Sequence, residues 1–415
     1  MDHEPDAPIS HRNLHAFGLT SFFNDTASEM AYWVLPAFLA SIGAGPAQLG
    51  VIEGIAESVA SLAKLFSGYL ADRWSRRKPL VVAGYIVANA VKPLLALVNW
   101  WGEVLGIRFV DRLAKGARGT ARDVMVAESV SAEQMGSAYG LIQAMDSAGA
   151  IAGPLLALLI LASGRDMRAV FWLAAIPGTL CVLVALFGIR ETRNARPAQD
   201  SNPRRDQHSN RNLASLDALP GASGFASLSH RFYYVLIAVT LFSLGNSSDM
   251  FLVLRAESLG IPVSLAPLLG LVFNITYTLA AWPAGRMSDR MSRRVVAALG
   301  YLVFALVYLA FGFGRYSQLI WGAMAFYGLF YALTAPVLKA LIVDTVAAEI
   351  RGRALGIYFS ATSVAALLAS VITGELWKHY GPRLPFFLSA ATAVLSAALL
   401  LFGGPRSSKK FSPGS

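Results

Sequence analysis

"GYLADRWSRR" at residues 68–77 returns, 217 residues later, as "GRMSDRMSRR" at 285–294. A second pair, "ESVSAEQMGSAYG" at 128–140 and "DTVAAEIRGRALG" at 344–356, is offset by 216. Two separate stretches that agree on nearly one offset indicate an internal duplication, each copy taking about half of the chain. A weaker echo, "SFFND" at 21–25 against "SLGNSSD" at 243–249, falls near the start of each copy.

The copies are built of apolar segments. Of the 415 residues 55% are hydrophobic and 14% charged, and mean hydropathy is +0.52, whereas a soluble chain carries about a quarter charged residues. Long apolar runs recur along the whole chain, many near the ~20 residues that cross a bilayer as a helix. The sequence therefore predicts an all-α polytopic membrane protein with twelve transmembrane helices in two pseudo-symmetric six-helix bundles. The first six are expected near 14–41, 47–71, 80–99, 101–126, 137–163 and 168–189. The second six are expected near 232–255, 263–286, 294–313, 318–344, 354–376 and 383–403. Residues 1–189 form the N-terminal bundle, 190–231 a linker rich in Arg, Asn, Ser and Pro, and 232–415 the C-terminal bundle with a short tail.

The net charge of +10 does not point to nucleic acid, because the basic residues gather in alternate loops. Arg73, Arg76, Arg77 and Lys78 follow the second helix, Arg290, Arg293 and Arg294 the eighth, and Arg351 and Arg353 the tenth. Loops after the first and third helices carry no Lys or Arg, so the positive-inside rule places both termini in the cytoplasm. The opening "MDHEPDAPISHRN" lacks the basic start and short apolar core of a cleaved signal. Cys181 stands alone, and the six histidines fall at termini, loops or helix ends. Intramembrane proton chemistry thus has only carboxylates to use.

Two six-helix repeats, a basic central linker and GxxxDRxSRR after the second and eighth helices together resemble the major facilitator superfamily over essentially the whole chain. The resemblance implies a secondary transporter, not an enzyme, and a monomer in the bacterial inner (plasma) membrane. It also implies that Gly68, Leu70, Asp72, Arg73, Arg76 and Arg77, with Ser75 in place of a second glycine, form a gate on the cytoplasmic side. Gly285, Asp289, Arg290 and Arg293 are their counterparts in the second copy. An Asp at a helix end can pair with basic groups or a helix N-terminus, in a contact that breaks when the halves rock.

The fourth helix contains "RFVDRLAKGARGTARD" at 108–123. On a helix its seven charges fall within an arc of about 140°, opposite Phe109, Val110, Leu113 and Ala117. A soluble amphipathic helix would look the same, but the equivalent segment of the second copy is the apolar "MAFYGLFYALTAPVLK". A charged stripe in a bilayer has to face a water-filled cavity and find partners there. Asp111 aligns with Tyr327, Arg112 with Gly328, Lys115 with Tyr331 and Arg118 with Thr334, so only the first copy is charged. That asymmetry assigns Arg108, Asp111, Arg112, Lys115 and Arg118 to a solute cavity. Arg112 with Lys115–Gly116 also resembles the family's Arg–x–x–Gln–Gly motif, which links the arginine to proton transfer, although lysine replaces the glutamine here.

Candidate proton carriers are Asp25 and Glu29 on the first helix, Asp146 on the fifth and Asp249 on the seventh. Burial raises a carboxylate pKa and a nearby arginine lowers it, so either can bring one toward neutrality. Glu53, Glu57 and Lys64 on the second helix share one face and are assigned to the cavity, with a fixed pair such as Glu57 with Lys64 the alternative. Trp321, Tyr327 and Tyr331 are assigned to its C-terminal wall or to packing. The cationic stripe argues against a metal site, and neither a nucleotide-binding loop nor a hydrolytic constellation is present, so no cofactor is expected and the proton gradient supplies the energy.

"GAIAGPLLA" at 149–157 resembles the helix-5 motif of the family's antiporters at Gly149, Gly153 and Pro154. Together these features predict a proton-coupled exporter of a small anionic or zwitterionic solute, working by alternating access. An uptake symporter for an organic anion, phosphate ester or metal chelate is the alternative, and a non-transporting sensor a more distant one. The expected partners are the solute, protons and the bilayer.

Overall fold

In a bilayer each backbone N–H and C=O has to be satisfied within its own segment, so long apolar runs fold as helices. The computed structural model describes residues 11–73, 77–130, 135–191, 228–346 and 351–402, and among them it contains helices and turns but no strand. The first copy comprises α1 (His11–Tyr32), α2 (Leu35–Ser41), α3 (Pro46–Arg73), α4 (Lys78–Val91), α5 (Trp101–Ala127), α6 (Met135–Ala162), α7 (Met167–Leu173) and α8 (Ala175–Gly188). The second comprises α9 (His230–Gly245), α10 (Met250–Ser258), α11 (Ala266–Arg290), α12 (Arg293–Phe313), α13 (Ser317–Val343), α14 (Arg351–Tyr380) and α15 (Arg383–Phe402).

Among the described residues nine helical runs are long and apolar enough to cross a membrane. The remaining positions of the twelve-helix scheme are α1 with α2, α3, and α5, whose polar residues dilute the apolar signal. Large apolar side chains such as Phe187, Leu279, Leu306 and Phe313 lie bare on the outside, as a lipid-facing surface requires.

Four of the expected helices are interrupted. The first breaks between Tyr32 and Leu35, just ahead of Pro36. The third passes at Val91 into a 3-10 turn, Lys92–Ala96, where Pro93 withholds a backbone donor. The sixth is divided at Ala174. The seventh opens over Asn246, Ser247, Ser248 and Asp249, between α9 and α10.

The duplication is visible in backbone and side chains alike. Positive φ angles occur at Gly43 (80°) and Gly260 (89°), and at Gly164 (80°) and Gly381 (83°); both pairs repeat at the 217-residue offset, and a residue with a Cβ is strained there. Arg77 pairs with Glu128 at 2.5 Å and Arg293 pairs with Asp344, each across 51 residues of chain. These ion pairs repeat at an offset of 216, one residue off the motif's own register, and each ties the start of one helix to the end of the next within its own copy. The two arginines assigned to a gate between the halves are therefore engaged inside their own halves in this conformation. Arg76 lies outside the described residues, and the side chains of Gly68, Leu70, Asp72, Arg73, Gly285 and Asp289 are not described. Arg290 is exposed at the end of α11, beside Arg293 and Arg294.

The halves meet along α3 with α14 and α6 with α11. Glycines make the approach possible: a Cβ on Gly50 would collide with the carbonyl oxygen of Ser370, and one on Gly374 with that of Pro46. Gly270 lies under the indole of Trp33, where a Cβ would likewise collide, and Trp33 is the one N-half side chain in the buried C-half core as described. Asn274 Nδ2 donates to the Ala150 carbonyl at 3.1 Å, and Ser58 Oγ to that of Ser363 at 3.0 Å. Gly50, Trp33, Gly270 and Gly374 all lie toward the helix ends remote from the basic loops. This seal thus closes the face opposite those loops.

Candidate functional site

Just beyond the seal, toward the basic face, lies a cavity of about 330 Å³, within the range of small-molecule sites. Its position follows from α3: Gly50 and Gly54 pack against α14, while Glu57 and Ser61, one and two turns further on, line open space. The C-half wall is made of Ser243, Asn246, Ser247, Ser248, Asp249, Tyr331, Thr362, Ser363 and Ser370. Tyr32 and Glu57 close it on the N-half side. A second, smaller pocket of about 70 Å³ shares Tyr32 with it and is lined by Asp25, Ser28, Glu29, Lys92, Arg108, Asp111, Arg112, Lys115 and Arg118; the Arg112–Glu57 pair joins its lining to that of the first.

The charged stripe of α5 divides into two sets. One set is locked inside the N-half. Arg108 donates from Nε and Nη2 to Glu53 Oε1 at 3.0 and 2.6 Å, and both side chains are almost wholly buried. Asp111 pairs with Lys92 at 3.6 Å. Arg118 donates to Asn24 Oδ1 at 3.1 Å and the Gly84 carbonyl at 3.4 Å, and its guanidinium lies 4.3 Å from the centre of the Tyr85 ring. Gly84 leaves room for that arginine. Removing one member of such a buried pair costs about 3–5 kcal/mol, because the other is left uncompensated. Arg122 is held by Asp123 at 3.1 Å and by Ser21 at 3.2 Å.

The other set is Arg112 and Lys115. Arg112 reaches Glu57 at 3.0 Å, with the Glu57 side chain about half exposed (49%), and its buried Nε has no hydrogen-bond partner. Lys115 is exposed to the cavity and takes part in none of the ion pairs formed by the described residues. Gly116 lets α5 close onto α3 at Ala60 and Ala63, which fixes the height of both cations.

The acids separate in the same way. Glu53 and Asp111 are consumed by Arg108 and Lys92, and Glu57 is shared between Arg112 and the open space. Asp25 accepts from Asn24 Nδ2 at 3.0 Å and Glu29 from the Trp33 indole at 2.7 Å. Neither forms an ion pair among the described residues, although Lys115 and Arg112 are in electrostatic reach of Glu29. Asp146 lies within reach of Asp25 and Arg122. Asp249, at the opened stretch between α9 and α10, accepts from Tyr327 at 2.6 Å and from Tyr331 at 3.4 and 3.2 Å. The Glu29–Trp33 bond reaches the seal directly, so the charge on Glu29 is felt where the halves touch.

Helix 5 of the scheme, α6, supports these acids from behind. A Cβ on Gly149 would meet the Phe22 carbonyl and Asp25, and one on Gly153 would meet Thr26 and Glu29. Pro154 continues the helix one residue on.

The structure departs from some site assignments. Lys64 lines neither pocket and runs along Gly119, and Glu57 pairs with Arg112 instead. Trp321 packs on the C-half core and Tyr327 is buried within it, reaching the site only through its hydroxyl. Arg108, Asp111 and Arg118 hold the site together at its base. Lys92, Tyr32 and the hydroxyl wall join the site beyond the residues that the sequence assigns to it. A lone lysine in the apolar run 79–98 and the polar "GNSSD" inside the seventh helix are the signals that mark them.

Residues 17–254 and 235–415 match the family model of the Major Facilitator Superfamily. An uncharacterized MFS-type transporter of Methanocaldococcus jannaschii is 31% identical over 410 residues, covering 97% of each chain. Multidrug resistance protein MdtG of Enterobacter lignolyticus is 24% identical over 410 residues, 94% of this chain and 92% of that one. Among solved structures, the nucleoside transporter NupG superposes with a TM-score of 0.70 at 14% identity, covering 93% of this chain and 98% of the other. A D-xylose-proton symporter gives 0.71 at 17% identity, covering 95% and 97%. The solved structures speak for the fold.

Proposed function

The chain belongs to the major facilitator superfamily, and we propose that, as a transporter of that family, it exports a small anionic or zwitterionic solute in exchange for protons. It is an integral membrane protein and not an enzyme. In this reading all twelve helices of the scheme cross the inner membrane of a bacterium, with the basic loops and both termini in the cytoplasm. The protein works as a monomer on the proton gradient alone. The conformation described is then inward-open: α3, α14, α6 and α11 close the outer side, while the cavity lies on the cytoplasmic side of that closure.

One observation carries the proposal, the division of charge inside the cavity. Arg112 and Lys115 present positive charge to open space, while Asp25 and Glu29 beside them have no cation of their own. A carboxylate without a cation of its own, Asp249 across the cavity included, holds either a proton or a cationic group of the solute, and exclusive occupancy of the cavity's acids is the basis of antiport. Gly149 and Gly153, which resemble the antiporter motif, seat α6 directly behind these two acids. Export is supported further by relatives named as multidrug resistance proteins.

Uptake by symport has an observation of its own. An anion that displaces Glu57 from Arg112 leaves a carboxylate ready to take up a proton, so anion and proton would enter together. Proteoliposomes preloaded at acid pH and given labelled 5-aminopentanoate test the coupling. The wild-type protein accumulates the probe. Asp25→Asn with Glu29→Gln retains counterflow but loses accumulation driven by the pH gradient. Accumulation undiminished in the double variant overturns the assignment.

A further inference from the structure

We propose that the solute is a zwitterion bound across the two halves: its anionic end on Arg112 and Lys115, its ammonium on Asp249 between Tyr327 and Tyr331. The inference rests on the anion site assigned above and adds a second pole to it.

The two walls of the cavity are chemically unlike. Its N-half side presents Arg112 and Lys115, the latter in no ion pair among the described residues, with Asp25 and Glu29 beside them. The C-half wall offers Asp249, an asparagine, a tyrosine and a row of Ser and Thr hydroxyls, and no cation. Asp249 is not neutralised from within the C-half. Among the described residues its hydrogen bonds come from two phenol hydroxyls, and no basic side chain pairs with it. Arg255, six residues on, is turned away and donates to the Phe311 and Gly314 carbonyls. Glu57, the acid facing Asp249 from the N-half, is already engaged by Arg112.

Geometry keeps Asp249 directed into the cavity. It caps the start of α10, its carbonyl accepting from the Leu252 and Val253 N–H groups, and Ser248 next to it is pinned to Glu53 Oε2 at 3.3 Å and to Ser370 Oγ at 3.2 Å. The two tyrosines occupy one side of the carboxylate. They belong to α13 at the positions that correspond by repeat to Asp111 and Lys115 of α5. The duplication thus places a carboxylate-and-phenol site opposite a cation site, and Tyr32 is common to both pockets. A solute with a single charge would leave one pole of this cavity uncompensated. An amino group joined to a carboxylate or phosphate satisfies both, and the hydroxyl wall suits a solute that also carries hydroxyl or amide groups.

Binding of matched probes to the detergent-solubilised full-length protein tests this. The probes are alkanoates, alkylamines and ω-aminoalkanoates of four, five and six carbons. The expected result is that one aminoalkanoate binds about tenfold or more tightly than the alkanoate and the alkylamine of its length. Asp249→Asn keeps an oxygen for the tyrosines, and it is expected to erase that advantage without weakening alkanoate binding. Tyr331→Phe, which keeps the carboxylate, is expected to reduce the advantage without abolishing it. If alkanoates bind as well as aminoalkanoates and Arg112→Gln weakens both, the anion site stands and the zwitterion falls. If amines bind, alkanoates do not, and Arg112→Gln changes nothing, the anion site falls as well. Binding by no member of the series overturns both.

Discussion

Replacing Arg112 with glutamine is expected to weaken alkanoate and aminoalkanoate binding about 100-fold or more, and to reduce counterflow to the level of protein-free liposomes. Truncating one partner of a desolvated, hydrogen-bonded charge pair costs about 2–5 kcal/mol, and each 1.4 kcal/mol is tenfold in affinity. Arg112 supplies one of the two cations presented to the cavity, and its Nε already lacks a partner, so the anionic end of the solute would lose its principal hydrogen-bond donor. Glu57 would lose its partner at the same time and add negative charge to the site. Arg112→Lys keeps the charge but not the planar pair of donors, and is expected to fall between the two. Equilibrium binding of pentanoate and 5-aminopentanoate to purified protein checks the series. Wild-type affinity in Arg112→Gln would remove the anion site from this account.

An alanine at Gly50 is expected to have an effect of similar size by a different route. Its methyl group would meet the Ser370 carbonyl, a backbone atom that cannot swing aside as a side chain can. The α3–α14 contact would have to open, and with it the neighbouring bonds from Ser248 to Glu53 and Ser370. Packed interfaces are bistable, so the loss of closure on one face shifts the population toward the state open there. Transport, which needs both states, should fall about 100-fold, corresponding to roughly 3 kcal/mol of imposed strain. Gly106→Ala is the control, because a Cβ there meets nothing within 4 Å. The direct readout is maleimide labelling of Thr362→Cys in a Cys181→Ala background, since Thr362 lines the cavity. Labelling should come from the basic-loop face in the parent and from the opposite face once Gly50→Ala is added. An unchanged pattern would mean that this contact does not seal the cavity.

The architecture was legible because duplication is written twice: GxxxDRxSRR repeats at the 217-residue offset of the paired glycine turns, and its partner motif at the 216-residue offset of the Arg77–Glu128 and Arg293–Asp344 ion pairs. The stripe of α5 was legible as a stripe but not as a division of labour. A helical projection places Arg108 at zero, Arg112 at roughly +40°, Lys115 at roughly −20°, and Asp111 and Arg118 at roughly −60° and −80°. It cannot say that α4 and Lys92 wait at the negative edge, that Glu53 and Glu57 wait on α3, or that the arc at Lys115 opens on space. Lys92 and Tyr32 are not legible for a related reason. Each is a single polar group in an apolar run, and only the packing of neighbouring helices decides whether such a group is buried with a partner or lines a cavity. The opened stretch at Asn246–Asp249 left a trace in its composition, yet a polar tetrad inside a span does not reveal which carboxylate will face a solute.

The central claim is that solute and proton exclude one another in this cavity. Its most direct measurement is the proton balance of binding: 5-aminopentanoate is added to the purified protein in weakly buffered detergent solution, and the pH change is recorded with an indicator dye. Antiport predicts that protons are released as the probe binds, because its ammonium displaces a proton from the cavity acids that have no cation of their own, Asp25, Glu29 and Asp249. Binding with proton uptake, or with no proton change, would contradict it.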